Sequence, residues 1–441
     1  MWAFISLFLW INIQIKLEML PESVRKEIIT LIKQEVTLAI GCTEPIAVAL
    51  AVAKLTEMLQ SVPDKIDVYL SANVLKNAMG VGIPGTGMVG LPIAIALGAL
   101  VGKSEYGLEV LKDIKPADVE SAKLLVAKKT IGIHLKESID EKLYIEVIGC
   151  KNSENARVII SGEHTRFVFL ELNQKVLLNL SDEKVTKSKT ALYELSFDKV
   201  CEFAKETPIE EISFIKKTVE INKAAAEASL KGSYGHTVAQ TLANGKMGDS
   251  VYMHMLSVTA AACDARMAGA MLPVMSNSGS GNQGIAATLP VSVFAEESGE
   301  SEEQLIRALT LSHLMTIYIK QSLGRLSGLC GAVVATTGSA CGITYLMGGT
   351  REQIGFAIKN MIGNITGMIC DGAKPSCTLK VSNGVSTAIL SAFLAIDNKV
   401  VSSAEGITDE DVDKTIHNLT KIGRDGMNET DRMVLDIMIN K

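Results

Sequence analysis

From Phe203 to the C-terminus the apolar residues recur at the three-and-four spacing of α-helices, and the inward positions carry Ala, Gly, Met and aliphatic side chains rather than rings. With 36 glycines, 18 methionines and only 5% aromatic residues, the chain must build its core from small side chains, which lets helices pack closely. Ser301 to Gln304 and Thr408 to Asp411 have the spacing of capping boxes, and Gly423 follows a periodic segment as a helix stop does. LPIAIALGALVG and AILSAFLAI are shorter than a bilayer span and read as core helices.

This helical pattern is broken once. Residues 118–128 read as a helix, followed by TIGIHLKES, KLYIEVIGC, ARVIISGEH and RFVFLELNQ, four alternating runs separated by turn residues. The expected fold is α+β: a helical body from 19–117 plus 200–441, and an inserted lobe at 118–199 with a small antiparallel β-sheet. DKIDVYLSA adds a short strand at 64–72, and Pro21–Leu59 reads as two helices meeting at Gly41–Pro45. The first seventeen residues hold both tryptophans and match nothing downstream in composition. They lack a basic leader, a small-residue cleavage site and the length of a span, so 1–18 is expected to be an extraneous or disordered tail preceding a functional start at Met19.

A length of 441 residues, 47% of them apolar and 21% charged, describes a packed chain large enough for an enzyme. The net charge of −6, with no long basic block, disfavours nucleic acid and anionic membrane as partners. Eight cysteines without a short-spaced framework argue for a reducing cytoplasm rather than a disulfide scaffold. A homodimer is the expectation from the prevalence of symmetric oligomers.

Four segments could carry chemistry. Cys370 and Cys377 in CDGAKPSC, with Cys330 in LSGLCGAVVATTG, offer three thiols, and Gly372 and Pro375 place the pair on a loop. Three thiolates suit a [4Fe-4S] cluster with one open iron, a Lewis acid; the alternative is three buried free cysteines. In SNSGSGNQG, the residues Ser278, Gly279, Ser280, Gly281, Asn282 and Gln283 either cradle a small anion such as a carboxylate or form a plain polar turn. Cys42 sits at a helix N-terminus, which lowers a thiol pKa and suits it as base or nucleophile, with Glu44 opposing that shift. NVLKNAMGVGIPGTG lacks nucleotide-loop spacing, leaving Asn73, Lys76 and Asn77 as polar contacts for a small substrate. Cys150, Cys201, Cys263 and Cys341 read as structural, and His134, His164, His236 and His313 as ordinary surface or core histidines.

GCTEPIAVAL, NVLKNAMGVGIPGTG, SGSGNQG, LCGAVVA and CDGAKPSC, in that order, resemble the L-cysteine desulfidase family, related to the α-subunit of iron-sulfur L-serine dehydratases. The similarity runs from about Met19 to Ile396 and more weakly beyond. It implies an oxygen-sensitive lyase holding a [4Fe-4S] cluster through Cys330, Cys370 and Cys377, without pyridoxal phosphate, that converts L-cysteine to pyruvate, ammonia and sulfide. Cys42 would be the base, and Ser278–Gln283 would hold the carboxylate of a small amino-acid substrate. The alternatives are an L-serine dehydratase using the same cluster and a non-enzymatic iron-sulfur redox or sensor protein, which would more usually close its cluster with four protein ligands.

Overall fold

The computed structural model describes residues 20–139, 141–180 and 193–440 and is 59% helical, with one sheet-bearing lobe. The expected tail at 1–18 lies outside the described residues, as does 181–192 of the expected lobe. Helix α1 (Glu22–Glu35) leads through a short strand, β1 (Leu38–Ile40), into α2 (Thr43–Leu59). β2 (Lys65–Leu70), α3 (Ala72–Ala78), a glycine-rich turn, α4 (Leu91–Val101) and α5 (Pro116–Ala127) follow. Five strands come next: β3 (Ile131–Leu135), β4 (Tyr144–Lys151), β5 (Glu154–Ser161), β6 (Phe167–Leu172) and β7 (Lys175–Asn179). The rest runs α6 (Phe197–Glu206), α7 (Lys217–Leu230), α8 (Val251–Met267), β8 (Pro273–Met275), α9 (Gly281–Glu297), α10 (Glu302–Leu323), α11 (Gly331–Leu346), α12 (Arg351–Ile365), α13 (Cys377–Ile396), α14 (Val412–Lys421) and α15 (Asn428–Ile439), with short helical turns between some of them.

The α+β expectation stands, with one refinement of the sheet. Its strand order is β3-β2-β4-β5-β6-β7, and β2 pairs parallel to β3 while every other pair is antiparallel. β2 lies inside the sheet because KIDVYL alternates cleanly, burying Ile66, Val68 and Leu70 against α2, α4 and α5. The lobe and its covering helices therefore draw on residues 43–180 and not on 118–199 alone. A second departure lies between α1 and α2, where a turn was expected. Leu38–Ile40 instead pairs antiparallel with Pro273–Met275, tying the start of the chain to the turn that precedes α9.

In the body, close helix approach follows from the small residues. A Cβ on Gly338 would lie 2.4 Å from the Ser312 carbonyl oxygen, and one on Gly342 would lie 2.9 Å from that of Ala308, so α11 presses a glycine face onto α10. Ser301 caps α10 through a capping box with Gln304, as its spacing predicts. The Thr408 expectation is corrected. Asp411 caps α14, accepting from the Asp413 and Lys414 amides, because a carboxylate is the stronger acceptor, while the Thr408 hydroxyl donates to the Ser402 and Glu405 carbonyls. Gly423 does not stop the chain's helical course; it sits in a single π-turn, Ile422–Gly426, against Leu323 and Leu329. Among the described residues one helix, Cys377–Ile396, is long and apolar enough to cross a membrane by length and composition, longer than the apolar stretch read within it, and half of its most apolar window is buried inside the protein.

Gly338→Ala is expected to destabilise the fold by about 1–3 kcal/mol through overpacking, read as a lowered Tm. Gly367→Ala, where an added Cβ meets nothing within 4 Å, should leave Tm nearly unchanged.

Candidate functional site

Four helices begin at one cavity. Cys42 is the N-cap of α2, Ser280 of α9 and Cys330 of α11, while Cys377 is the first residue of α13. Their first turns line a space of about 110 Å³, together with Asn77, Arg266, Cys370 and Gly372. None of the four N-termini carries a side-chain cap, whereas Ser196, Ser250, Thr350 and Asp411 cap helices elsewhere. First-turn amides have no intrahelical acceptor, and the macrodipole puts positive charge at each N-terminus. The cavity is thus built for anions.

The three clustered cysteines reach it by a short backbone ladder. Leu329 and Ile369 form an isolated β-bridge, the Cys330 amide donates to the Met368 carbonyl at 2.9 Å, and the Cys370 amide donates to that of Gly328 at 2.7 Å. Gly372, at a φ of +87°, turns the loop back toward Cys377, as the sequence anticipates. Burial, then the neighbouring Cys370 and Cys377, push the Cys330 thiol up to about 12. Burial and Cys370 likewise raise Cys377. With their ionisation opposed by burial and by neighbouring thiols, Cys330 and Cys377 become thiolates only beside added positive charge.

Cys42 departs from its expected state. Burial, followed by the charge of Glu44, raises its pKa well above the usual thiol value, overriding the helix N-terminus. Its thiol donates to Glu44 Oε2 at 3.0 Å. Burial works to raise the Glu44 carboxyl, but the facing His164 and hydrogen bonds from Cys42 and Thr43 outweigh it and hold it below the usual range. Because burial keeps His164 itself neutral, the hydrogen bonds carry most of that effect, with Asn77 Nδ2 adding another to Oε1 at 3.1 Å.

Arg266, which the sequence reading missed, lines the same cavity. Among the described lining residues it is the one cation, and Glu44 the one carboxylate. Arg266 is 3% exposed, donates from Nη1 to Asn282 Oδ1 at 3.0 Å, and has a buried Nε without a partner. A Cβ on Gly281 would fall 2.1 Å from that Nε, so the glycine makes room for the guanidinium. Gln283 brings a buried, unpartnered Oε1. The sequence signal for Arg266 was a pair of charges, Asp264 and Arg266, inside the otherwise apolar run AAACDARMAGAMLPV.

The remaining expected contacts are sorted by geometry. Ser280, Asn282 and Gln283 line the cavity, and Gly281 lies beneath Arg266. Ser278 and Gly279 do not line it. They adopt positive φ, at +49° and +79°, and shape the turn, with the Ser278 amide bound to the Glu35 carbonyl. Asn77 lines the cavity, but Asn73 and Lys76 face away and bind the Asp431 carboxylate of α15. Lys76 also donates to the Cys370 carbonyl at 3.0 Å, so it braces the cysteine loop from behind. His313 is a satisfied core histidine between Asn277 and Thr288, as expected. His164 is not ordinary: it is buried, with Nε2 unpartnered and 4.0 Å from Glu44 Oε1. Among the described residues no group of three or more His, Cys, Asp and Glu side chains is set to hold a metal ion.

Asp431→Asn leaves the buried Lys76 ammonium without its counter-charge, and is expected to destabilise the fold by about 3–5 kcal/mol in thermal or denaturant unfolding.

A family model described as serine dehydratase alpha chain matches residues 105–436. A UPF0597 protein of Parabacteroides distasonis is 65% identical over 427 residues, covering 95% of this chain and 99% of its own length. One from Bacteroides thetaiotaomicron is 63% identical over 424 residues, with coverage of 95% and 99%. A more distant UPF0597 protein, from Oleidesulfovibrio alaskensis, is 44% identical over 418 residues, covering 94% and 97%.

Proposed function

The chain belongs to the family of serine dehydratase alpha chains and UPF0597 proteins, a lyase-like enzyme family, and from that membership we propose that it is an L-cysteine desulfidase acting in a reducing cytoplasm. The observation that carries the reading is the meeting of Cys330, Cys370 and Cys377 with Cys42 and Arg266 around one cavity. The donor set fits a [4Fe-4S] cluster. Cys330, Cys370 and Cys377 line one cavity, thiolates are the usual donors to such a cluster, and the N-termini of α11 and α13 bring positive dipole ends to it. Cys330, Cys370 and Cys377 would hold it. When bound, a cluster with an open iron supplies a Lewis acid toward the departing sulfur.

The protein's own groups supply the rest. Arg266, with its free Nε, and the first-turn amides of α9 bind the substrate carboxylate, and Gln283 Oε1 is an acceptor for the ammonium. Cys42, which lines the same cavity, takes the Cα proton, and the electron pair left on Cα expels hydrosulfide from Cβ. Aminoacrylate then tautomerises and hydrolyses in water to pyruvate and ammonia. The match to serine dehydratase alpha chains favours a second reading, in which the same site expels the hydroxyl of L-serine.

Anaerobic purification followed by iron and sulfide analysis, then turnover with L-cysteine and L-serine, tests both. Sulfide and pyruvate from cysteine are expected; pyruvate from serine alone would establish the dehydratase, and full activity without iron would remove the proposal. Cys42→Ala should abolish turnover while keeping the cluster absorbance, whereas loss of the absorbance would make Cys42 a fourth ligand. Arg266→Gln removes charge-assisted hydrogen bonds worth about 1.5–3 kcal/mol, so KM for cysteine should rise about tenfold to a hundredfold with iron content unchanged.

A further inference from the structure

The lobe sends one side chain into the helical body. The turn joining β5 to β6 is closed by the Ser161 amide on the Arg166 carbonyl and by the Arg166 amide on that of Glu163, and Gly162, at a φ of +79°, binds the Leu143 carbonyl through its amide. This directs His164 inward, where it is 7% exposed against the first turn of α2 and the Ser278–Gly279 turn. A Cβ on Gly279 would meet the imidazole at 3.6 Å. His164 Nε2 is buried with no hydrogen-bond partner, and Glu44 Oε1 lies 4.0 Å from it. The other Glu44 oxygen accepts the Cys42 thiol at 3.0 Å. Cys42, Glu44 and His164 thus stand in line from the cavity wall to the lobe.

We infer that His164 is the positioning residue that accepts, through Glu44, the proton Cys42 must lose before it can act as a base. The inference rests on the lyase reading above. A thiol beside a carboxylate is a poor base, because ionising it would set two negative charges together in a buried place. A route that moves its proton two groups away leaves thiolate, carboxylate and imidazolium, a set carrying one more internal compensation. The Cys42 S–H bond breaks and its proton goes to Glu44 Oε2; the carboxyl group then turns that oxygen toward His164, and the same proton leaves it for Nε2, which restores the carboxylate. Cys42 then takes the Cα proton and is a thiol again; the Cα electron pair forms the double bond to Cβ, and the Cβ–S pair leaves as hydrosulfide. That hydrosulfide and the proton held on His164 together make hydrogen sulfide, which returns all three groups to their starting forms. The 4.0 Å gap is of the kind that closes when substrate enters.

The charged groups facing this line are Glu163 on the same turn, Arg325 after α10, Lys320 within α10, and Arg266 on the Cys42 side. Neutral His164 is the acceptor, so activity must fall as pH drops through its pKa. Glu163, exposed beside it, raises that pKa, and Glu163→Gln should move the acid limb of kcat to lower pH.

The test uses anaerobic, cluster-loaded enzyme and two readouts: the pH profile of kcat with L-cysteine, and the pH dependence of Cys42 alkylation by iodoacetamide, followed on its own peptide by mass spectrometry. His164→Gln should keep the cluster absorbance and KM, lower kcat about tenfold to a hundredfold, abolish the acid limb, and shift Cys42 alkylation to higher pH by at least about one unit. An unchanged limb and an unchanged alkylation midpoint in His164→Gln overturn the inference. Should that variant fail to fold, Glu163→Gln decides: an acid limb that stays in place overturns the inference as well. Wild-type enzyme that releases no sulfide from cysteine would remove the lyase reading, while the alkylation series would still decide whether His164 governs Cys42.

Discussion

Four helix N-termini turned toward one small space are the constraint from which the rest of this molecule follows. Each brings the positive end of a dipole, and bringing several together is unfavourable unless negative charge sits among them. The carboxylate of Glu44 answers that requirement in part, and thiolates at Cys330, Cys370 and Cys377 would add to it.

The small-residue core serves the same arrangement. Gly338 and Gly342 let α11 lie against α10, and Gly281 and Gly284 let α9 start against Arg266 and the Met275 carbonyl. Bulkier residues there would push apart the helices whose ends define the cavity. The few large polar side chains inside are correspondingly committed, Arg266 to Asn282 and Lys76 to Asp431 and Cys370.

Much of this could be read from residue order. The helical period, the alternating strands and the loop between Cys370 and Cys377 are local patterns, and locality is what periodicity and turn chemistry report. Ser280, Asn282 and Gln283 stood in a glycine-rich turn that the sequence left open between an anion cradle and a plain polar turn; the structure sets all three on the cavity. Arg266 and His164 were not legible, since each becomes notable only through partners distant in sequence: Gly281 and Asn282 for one, Glu44 for the other. Lys76 and Asn73 were misplaced for a related reason. A short helix presents two sides, and their motif could not say which side faced the cavity and which faced α15. The state of Cys42 depended on depth as much as on the dipole, and depth is not a local property.

The brace from Lys76 to Asp431 also orders events in time. Cys330, Cys370 and Cys377 leave the ribosome before Asp431 does, so the Lys76 ammonium that binds the Cys370 carbonyl lacks its counter-charge until that later carboxylate arrives. A chain interrupted between Cys377 and Asp431 would carry all three cysteines with their brace left uncompensated.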